Sequence, residues 1–343
     1  ISPDGLSLYI TSNRPGGYGS FDLWVSQRAT KNDPWGTPFN LGDTINGPGR
    51  DWSPVFSPDG HWMIYARNPG TDENFDELYI THRADKHDDF AWETPVNLGP
   101  NVNVPGAGNS GPSLFEDSAT GLLNLYFTSH RPGGVGDFDI YRSIRQEDGT
   151  WTPAVLVPEV SSPYRDVRMT IRGDGLEMII TTTNPAYLPY PPNNPQAALD
   201  LYVSTRPTTH DPWSTPVNLG TTVNSPGPTV VDSAPYLSRD GRTLYFYSNR
   251  GGGVGANDLY MTTRKEIDEP RAFAASGAAA AFAPEVREDR PARPVPIRVP
   301  DHAQPPRGQE ASPSAHPAPG LFPAGDTPAD DDPWGGPGLG LSG

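Results

Sequence analysis

The chain has 343 residues with a formal net charge of −16, and it is rich in turn-forming residues, with 37 Gly and 42 Pro. An acidic surface repels phosphate backbones and anionic lipid headgroups, so the charge argues against nucleic acids and membrane surfaces as partners. The absence of cysteine excludes disulfides, thiol nucleophiles and Cys-ligated zinc. No apolar stretch reaches the roughly 20 residues that a membrane-spanning helix needs.

One sequence pattern recurs five times along the chain. Each copy has a turn of the Ser-Pro-Asp-Gly type, an apolar run, a Gly-rich loop and a second run that opens with an acidic residue, Leu or Ile, and an aromatic residue. The copies predict β-hairpins near residues 6–27, 62–82, 124–143, 177–205 and 243–263. A repeat of this length cannot bury its apolar face alone, so we expect neighbouring copies to stack.

A complete copy is predicted to form four short strands. In the second copy these strands cover residues 53–57, 62–66, 77–81 and 95–98, and a tight turn at Pro58-Asp59-Gly60 joins the first two. A tryptophan returns roughly every 60 residues, and the three- and four-residue apolar spacing of helices is absent. Four strands in each repeat at this period are typical of a β-propeller.

The repeated motif resembles that of a known family. Ser-Pro-Asp-Gly-x-x-Leu-Tyr-Phe-x-Ser-x-Arg with Asp-Ile-Tyr downstream is similar to the TolB-type, WD40-like (PD40) propeller repeat of bacterial proteins, over about residues 1–265. Copy four departs most, with Arg172-Gly173 in place of Ser-Pro and Thr182-Thr183-Asn184 in place of Ser-Asn-Arg. The resemblance implies a propeller with an interaction role, in the periplasm or outside the cell.

Strand counting sets the expected blade number. Five central hairpins are present, but only four first strands and four fourth strands, and the chain starts at Ile1 without an initiator Met or signal peptide. We therefore expect an all-β propeller of five blades over residues 1–266, in a fragment or processed product. The alternative is a parent protein with six blades. The Ala-, Pro- and Gly-rich composition of residues 267–343 predicts a disordered tail.

Strand order predicts where a site would lie. The loop between the second and third strands and the link into the next first strand open on one face. Candidate ligand-binding residues on the links are Arg50, Asp51, Trp52, Asn109, Asp166, Arg168 and Asp232. Paired carboxylates suit glycoside hydrolysis, and carboxylates with Asn suit calcium. Repetition of the acidic position favours a capping role instead, so no catalytic residue and no cofactor is assigned, with calcium as the alternative.

Three further features carry an expectation. The recurring Asp of the third strand (Asp22, Asp139, Asp200 and Asp258) is predicted to accept hydrogen bonds from the Gly-rich loop and to pair with Arg14, Arg131 or Arg250. The recurring Trp is expected to pack between blades, with a carbohydrate platform as the alternative. Tyr187 and Tyr190 lie on a Pro-stiffened insertion that suits recognition, although a neutral insertion is the favoured interpretation.

These observations predict a non-enzymatic binding or scaffold module for a protein, peptide or glycan. Two alternatives stay open: a glycoside hydrolase with carboxylates at the channel mouth, and the propeller part of a larger enzyme.

Overall fold

The computed structural model describes residues 1–68, 75–183, 199–227, 229–264 and 295–296. These residues form nineteen β-strands, and the 3-10 turn Pro158–Val160 is the one helical element among them. The strands are β1 (Ser7–Ser12), β2 (Asp22–Gln27), β3 (Phe39–Asn40), β4 (Arg50–Phe56), β5 (Trp62–Asn68), β6 (Glu77–His82), β7 (Val96–Asn97), β8 (Asn109–Glu116), β9 (Leu123–Ser129), β10 (Asp139–Ile144), β11 (Val155–Leu156), β12 (Asp166–Ile171), β13 (Glu177–Thr182), β14 (Asp200–Thr205), β15 (Val217–Asn218), β16 (Asp232–Leu237), β17 (Thr243–Ser248), β18 (Asp258–Thr263) and β19 (Val295–Pro296).

The strands form five sheets in which every strand pairs antiparallel with its neighbour in the chain. Blade one contains β1 to β3, and blades two to five contain β4 to β7, β8 to β11, β12 to β15 and β16 to β19. The first strands of consecutive four-stranded blades contact one another. Sheets that meander outward from a shared centre are the blades of a propeller, so the all-β class and the five blades are confirmed.

The ring closes where blade five meets blade one. Leu259 of β18 packs against a buried cluster that includes Trp24 and Trp35 of blade one. The Tyr236 hydroxyl of β16 donates a hydrogen bond to the Ile1 carbonyl at 2.9 Å. Blade five therefore contacts blade one through both apolar and polar groups.

The outermost strand of blade five differs from the expectation. Val295 and Pro296 pair with Met261 and Tyr260 of β18, so a stretch assigned to the tail supplies the fourth strand. A two-residue strand displays no periodicity, and its partner lies far earlier in the chain, so nothing local in the sequence marks it. The rest of the predicted tail, 267–294 and 297–343, lies outside the described residues.

Every first strand carries a bulge close to its start. The residue at the bulge has a left-handed backbone, with φ of +54° at Ser53, +55° at Gly111, +46° at Arg168 and +50° at Ala234. The pairing register shifts at each of these points. A bulge re-aims the side chains of its strand, and a non-Gly residue in this conformation costs about 1–2 kcal/mol.

The apolar core is divided among the interfaces between blades. Trp92 of blade two packs edge-on against Tyr9 of β1, with ring centroids 6.5 Å apart. Trp213 of blade four meets Tyr126 of β9 in the same way at 6.3 Å. These contacts confirm the inter-blade packing predicted for the recurring tryptophans.

Candidate functional site

The recurring polar residue of each first strand is buried within its blade. Asp51, Asn109 and Asp232 have no exposed surface, and Asp166 is 3% exposed. Each carboxylate accepts a hydrogen bond from a backbone N–H of the preceding link: Gly47 to Asp51 at 2.6 Å, Ser162 to Asp166 at 2.5 Å, and Ser225 to Asp232 at 2.6 Å. These contacts are the backbone capping that repetition of the position favoured.

In blades two, three and five the polar residue also binds an arginine at or just after the end of the second strand, which is Arg67 for Asp51 at 2.7 Å. Arg131 donates to Asn109 at 2.7 Å, and Arg250 donates to Asp232 at 2.5 Å. The expected partners of these arginines, Asp139 and Asp258, instead bind the Gly-rich loops. The prediction of the arginine partner was wrong: the first and third strands both flank the second strand, but the carboxylate of the third strand is occupied by N–H groups of the loop.

Burial raises the pKa of three buried carboxyl groups. Desolvation raises the pKa of Asp51, against the opposing effect of the hydrogen bond from Arg67. It raises the pKa of Asp166 to about 6, and that of Asp200 on β14 also to about 6. Such shifts resemble those of catalytic acids. Here they arise from burial in the blade frame, since Asp166 and Asp200 are 3% and 8% exposed.

The acidic residue that opens the third strand holds the Gly-rich loop, as predicted. Asp22 accepts the N–H groups of Tyr18 and Gly19 at 2.6 and 3.1 Å. Asp139 and Asp258 bind the same two loop positions in blades three and five. A Cβ atom on Gly17 would lie 2.1 Å from the Asp22 carboxylate, so this loop position requires glycine.

A repeated asparagine clasp was missed by the sequence analysis. Asn103 accepts the Leu78 N–H at 2.9 Å and donates to the Leu78 carbonyl and to Asn97, both also at 2.9 Å. Asn46 and Asn224 make the same three contacts in blades one and four. The signal was the motif Leu-Gly-x-x-Ile/Val-Asn-x-Pro, which follows the fourth strand in these three copies.

Replacing Asn103 with alanine is expected to lower the free energy of unfolding by about 2–3 kcal/mol, because the N–H and C=O of buried Leu78 lose their partner. Chemical denaturation measures the loss. The control is Asn32→Ala at an exposed position, for which we expect a change within about 0.5 kcal/mol. Equal effects of the two changes would contradict the clasp.

A second repeated motif joins the third strand to the tryptophan in blades one, two and four. The arginine after the third strand stacks on the Trp of its own blade: Arg28 on Trp35 at 4.1 Å, Arg83 on Trp92 at 4.4 Å and Arg206 on Trp213 at 4.2 Å. The same arginines donate to glycine carbonyls of the first turn, as Arg83 does to Gly60 at 3.1 Å. The sequence carried this signal as an arginine directly after every third strand.

The residues that differ between copies converge near the axis. Two guanidinium groups lie near the indole of Trp52 on β4, with the Arg50 carbon 4.8 Å and the Arg168 carbon 4.6 Å from a ring centroid. Arg168 also lies 5.9 Å from the Tyr247 ring. Arg50 binds Asp76 through two hydrogen bonds of 2.9 and 3.1 Å. We call Arg50, Trp52, Asp76, Arg168 and Tyr247 the mouth cluster.

The mouth cluster draws on three blades. Arg50, Trp52 and Asp76 come from blade two, Arg168 from blade four and Tyr247 from blade five. Of the predicted site residues, the structure therefore brings together Arg50, Trp52 and Arg168, while the four recurring polar residues stay inside their own blades. Asp76 and Tyr247 were missed because only the packing of blades brings them to Arg50 and Arg168.

Two members of the mouth cluster, Trp52 and Arg168, have no counterpart in the other copies, whereas Arg165 repeats Arg50 in copy four and pairs with Asp137. The positions equivalent to Trp52 hold Ser110, Val167 and Ser233, and those equivalent to Arg168 hold Ser53, Gly111 and Ala234. Gly111 makes room for Arg168, because a Cβ atom there would lie 3.0 Å from the Arg168 Cα. Trp52 and Arg168 are therefore side chains of this face that the propeller frame does not require.

Other expectations concern residues or groups away from the cluster. Tyr187 and Tyr190 lie outside the described residues. Within the described ranges, no group of three or more His, Asp or Glu side chains is arranged to hold a metal ion. No helix in that part of the chain is long and apolar enough to span a membrane.

No model of a known protein family matches the sequence, and a search of curated proteins also finds no match. Solved structures with a similar chain fold include TolB from Acinetobacter baumannii. That protein has 13% sequence identity and a TM-score of 0.44, over 76% of this chain and 50% of that protein. Putative TolB from Agrobacterium tumefaciens has 14% identity and a TM-score of 0.41, over 76% of this chain and 74% of that one. An α-L-arabinofuranosidase from Podospora anserina has 12% identity and a TM-score of 0.47, over 74% of this chain and 85% of that enzyme.

The chain spans half the length of TolB from Acinetobacter baumannii. At identities of 12–14% the likeness concerns the fold alone. The chain is a five-bladed β-propeller, and TolB proteins are among the solved structures to which it is similar.

Proposed function

We propose that the chain is a non-enzymatic binding module that holds a protein, peptide or glycan at the mouth cluster, in the bacterial periplasm or outside the cell. The observation that carries the proposal is the convergence of Trp52 and Arg168, two residues that no other copy repeats, with Arg50 at the centre of one face. Aromatic and Arg side chains dominate the energetics of recognition surfaces. The likeness of the repeat motif to TolB-type propellers supports the location.

A glycoside hydrolase needs two carboxyl groups that flank the scissile bond and contact the substrate. Asp51, Asp166 and Asp232 are buried and bind backbone N–H groups of their own blades. Asp76 is 6% exposed and is occupied by Arg50. This burial favours binding over hydrolysis as the role of the face. The propeller part of a larger enzyme is the remaining alternative, and it would use the same face for contact.

A glycan and peptide array probed with the full 343-residue chain tests the proposal. We expect signals that fall at least about tenfold in Arg168→Gly and in Tyr247→Ala, because each change removes contact area at the centre of the surface. The control is Arg242→Gln, at an exposed turn between β16 and β17. Signals that survive both mouth changes would overturn the assignment of the site. Release of 4-nitrophenol from a panel of aryl glycosides above the protein-free background would contradict a non-enzymatic role.

A further inference from the structure

We infer that the outer edge of blade five is a docking site for an extended segment of a partner protein, one with the pattern Pro-Val-Asn-Leu-Gly-x-x-Val-Asn. The site lies on the side of β18 that faces away from β17, at Leu259 and Met261. It is separate from the mouth cluster, whose arginines and tryptophan lie on the innermost strands β4 and β12. The way in which the other blades hold their fourth strands specifies the partner.

Asparagine side chains hold the fourth strand of blade two at two points. Asn97 of β7 donates to Glu77, the first residue of β6, at 2.8 Å. Asn103, farther along the chain, accepts the N–H of Leu78 and donates to its carbonyl. Blade four repeats these three contacts. A complete fourth strand therefore supplies main-chain pairing, a donor for the acidic residue of the third strand and a clasp for the residue after it.

β19 fills the corresponding place in blade five with fewer contacts. Tyr260 lies opposite Pro296 in the register in which Tyr79 lies opposite Asn97. Proline has neither an N–H nor a side-chain amide, so this position of β19 cannot donate to Asp258, the acidic residue that opens β18. β19 is therefore a partial substitute for a fourth strand.

The backbone of Leu259 shows what this edge lacks. Leu259 occupies the position of Leu78, so its N–H and C=O point toward the outer edge of the blade. In the part of the chain that the structure describes, neither group has a hydrogen-bond partner, whereas Asn103 and Leu98 bind the two groups of Leu78. An unpaired backbone group that is shielded from water costs free energy, and Leu259 is half-buried. A segment that brings an asparagine to this point would satisfy both groups.

Met261 shows that the edge also leaves apolar surface open. Met261 is 38% exposed, although Val25 and Val203, which hold the same position in blades one and four, are 0% and 6% exposed. A strand edge with unpaired groups is a template for pairing with another chain. In strand addition, main-chain hydrogen bonds supply affinity and side-chain contacts supply specificity. Blade five offers both kinds of contact.

The copies that bind their own fourth strand completely specify the occupant. Residues 95–103 and 216–224 both have the pattern Pro-Val-Asn-Leu-Gly-x-x-Val-Asn. In the register of β19, such a segment would set its first Asn opposite Tyr260 and its second Asn at Leu259. To enter, the segment must displace β19, which is two residues long and has one backbone N–H, that of Val295. The exchange therefore replaces a partial set of contacts with a complete one.

Two fluorescein-labelled peptides test the inference by fluorescence polarisation with the full 343-residue chain. The probe is a synthetic copy of residues 215–224 with an amidated C-terminus. The control peptide carries Asn218→Ala and Asn224→Ala, so it keeps the main-chain pairing but lacks the donor and the clasp. We expect the probe to bind at least tenfold more tightly than the control peptide, because its asparagines satisfy groups that the control leaves unpaired.

Three variants of the protein locate the binding. Met261→Pro removes the outward N–H that an added strand would bind, without removing a hydrogen bond to β17, and should weaken the probe at least tenfold. Val295→Pro removes the remaining N–H of β19 and should tighten the probe at least threefold, since the competing strand is weakened. Val254→Ala, at an 81% exposed loop tip of the same blade, is the control and should change the affinity by less than twofold.

Equal affinities of the probe and the control peptide would overturn the inference, as would a probe affinity that Val295→Pro leaves unchanged or lowers. The peptide pair and Val295→Pro leave β18 intact, so these outcomes decide the question even where Met261→Pro fails to fold. Absence of probe binding at millimolar concentration, in both the parent chain and the Val295→Pro variant, would also overturn it.

Discussion

Replacing Asp89 with alanine is expected to lower the free energy of unfolding by about 3–5 kcal/mol, the cost typical of breaking a buried ion pair. Asp89 is 2% exposed and accepts hydrogen bonds from Arg83, Tyr9, Ser7 and Gln27 at 2.7, 2.8, 2.5 and 2.7 Å. The alanine variant leaves the charge of Arg83, which has no exposed surface, without its carboxylate. Since Tyr9, Ser7 and Gln27 belong to blade one, the change also loosens the contact between blades one and two.

Urea denaturation of the full chain measures the effect of Asp89→Ala. Asp33→Ala is the matched control, because Asp33 lies in the corresponding loop of blade one, is exposed and accepts the Thr30 N–H. We expect the control to cost about 0.5 kcal/mol or less. A loss below about 1 kcal/mol in Asp89→Ala would show that the polar network between the blades contributes little to stability.

The second large effect is an increase in stability as the pH falls from 7 to 5. The pKa of Asp166 and of Asp200 is about 6 in the folded chain, above the value of about 3.9 in an unfolded chain. Between pH 4 and 6 the folded state therefore binds more protons than the unfolded state. The stabilisation is complete below the unfolded pKa and is lost as the pH rises through 6, at an order of 2–3 kcal/mol for each group.

Other carboxyl groups confine this effect to a pH window. Hydrogen bonds lower the pKa of turn residues such as Asp59 and Asp240 despite partial burial, so their contribution to stability is lost only as the pH falls below about 4. We therefore expect a maximum of the unfolding free energy between pH 4 and 5.5. Acid weakens the fold below this window, and ionisation of buried carboxyls weakens it above.

Unfolding free energies measured from pH 4 to 8 test this prediction with two variants. Asp166→Asn removes one ionisable group and should reduce the change in stability between pH 7 and 5 by about half. Asp148→Asn, at an exposed turn, should leave that change as it is. A parent chain whose stability falls steadily from pH 7 to 5 would contradict the burial-driven shifts.

Much of the blade frame could be predicted because its contacts are local. The turn at Pro58-Asp59-Gly60 forms as expected, with φ of +80° at Gly60 and its N–H bound to Ser57 at 3.0 Å. The two hydrogen bonds between Asp22 and its Gly-rich loop join residues that are only three and four positions apart in the sequence. Residues this close in sequence meet whatever the rest of the chain does, so residue types and spacing suffice.

The candidate site could be predicted only in part. The difference between copies singled out Trp52 and Arg168, because a residue absent from other copies is not needed by the frame, and Arg50 was proposed from its place beside Asp51. The comparison of copies did not single out their partners Asp76 and Tyr247. Their distance from the arginines depends on the angle between blades, which depends on the packing of every interface in the ring.

The sequence by itself determined the repeat, the strand order within a blade and the turns, since each arises from side chains and hydrogen bonds within one copy. Tertiary structure alone decided which residues meet across blades. Asp89 meets Tyr9 across 80 residues, and Arg168 of blade four reaches Trp52 of blade two at the axis. Those contacts depend on how the blades pack around the ring, which no single copy encodes.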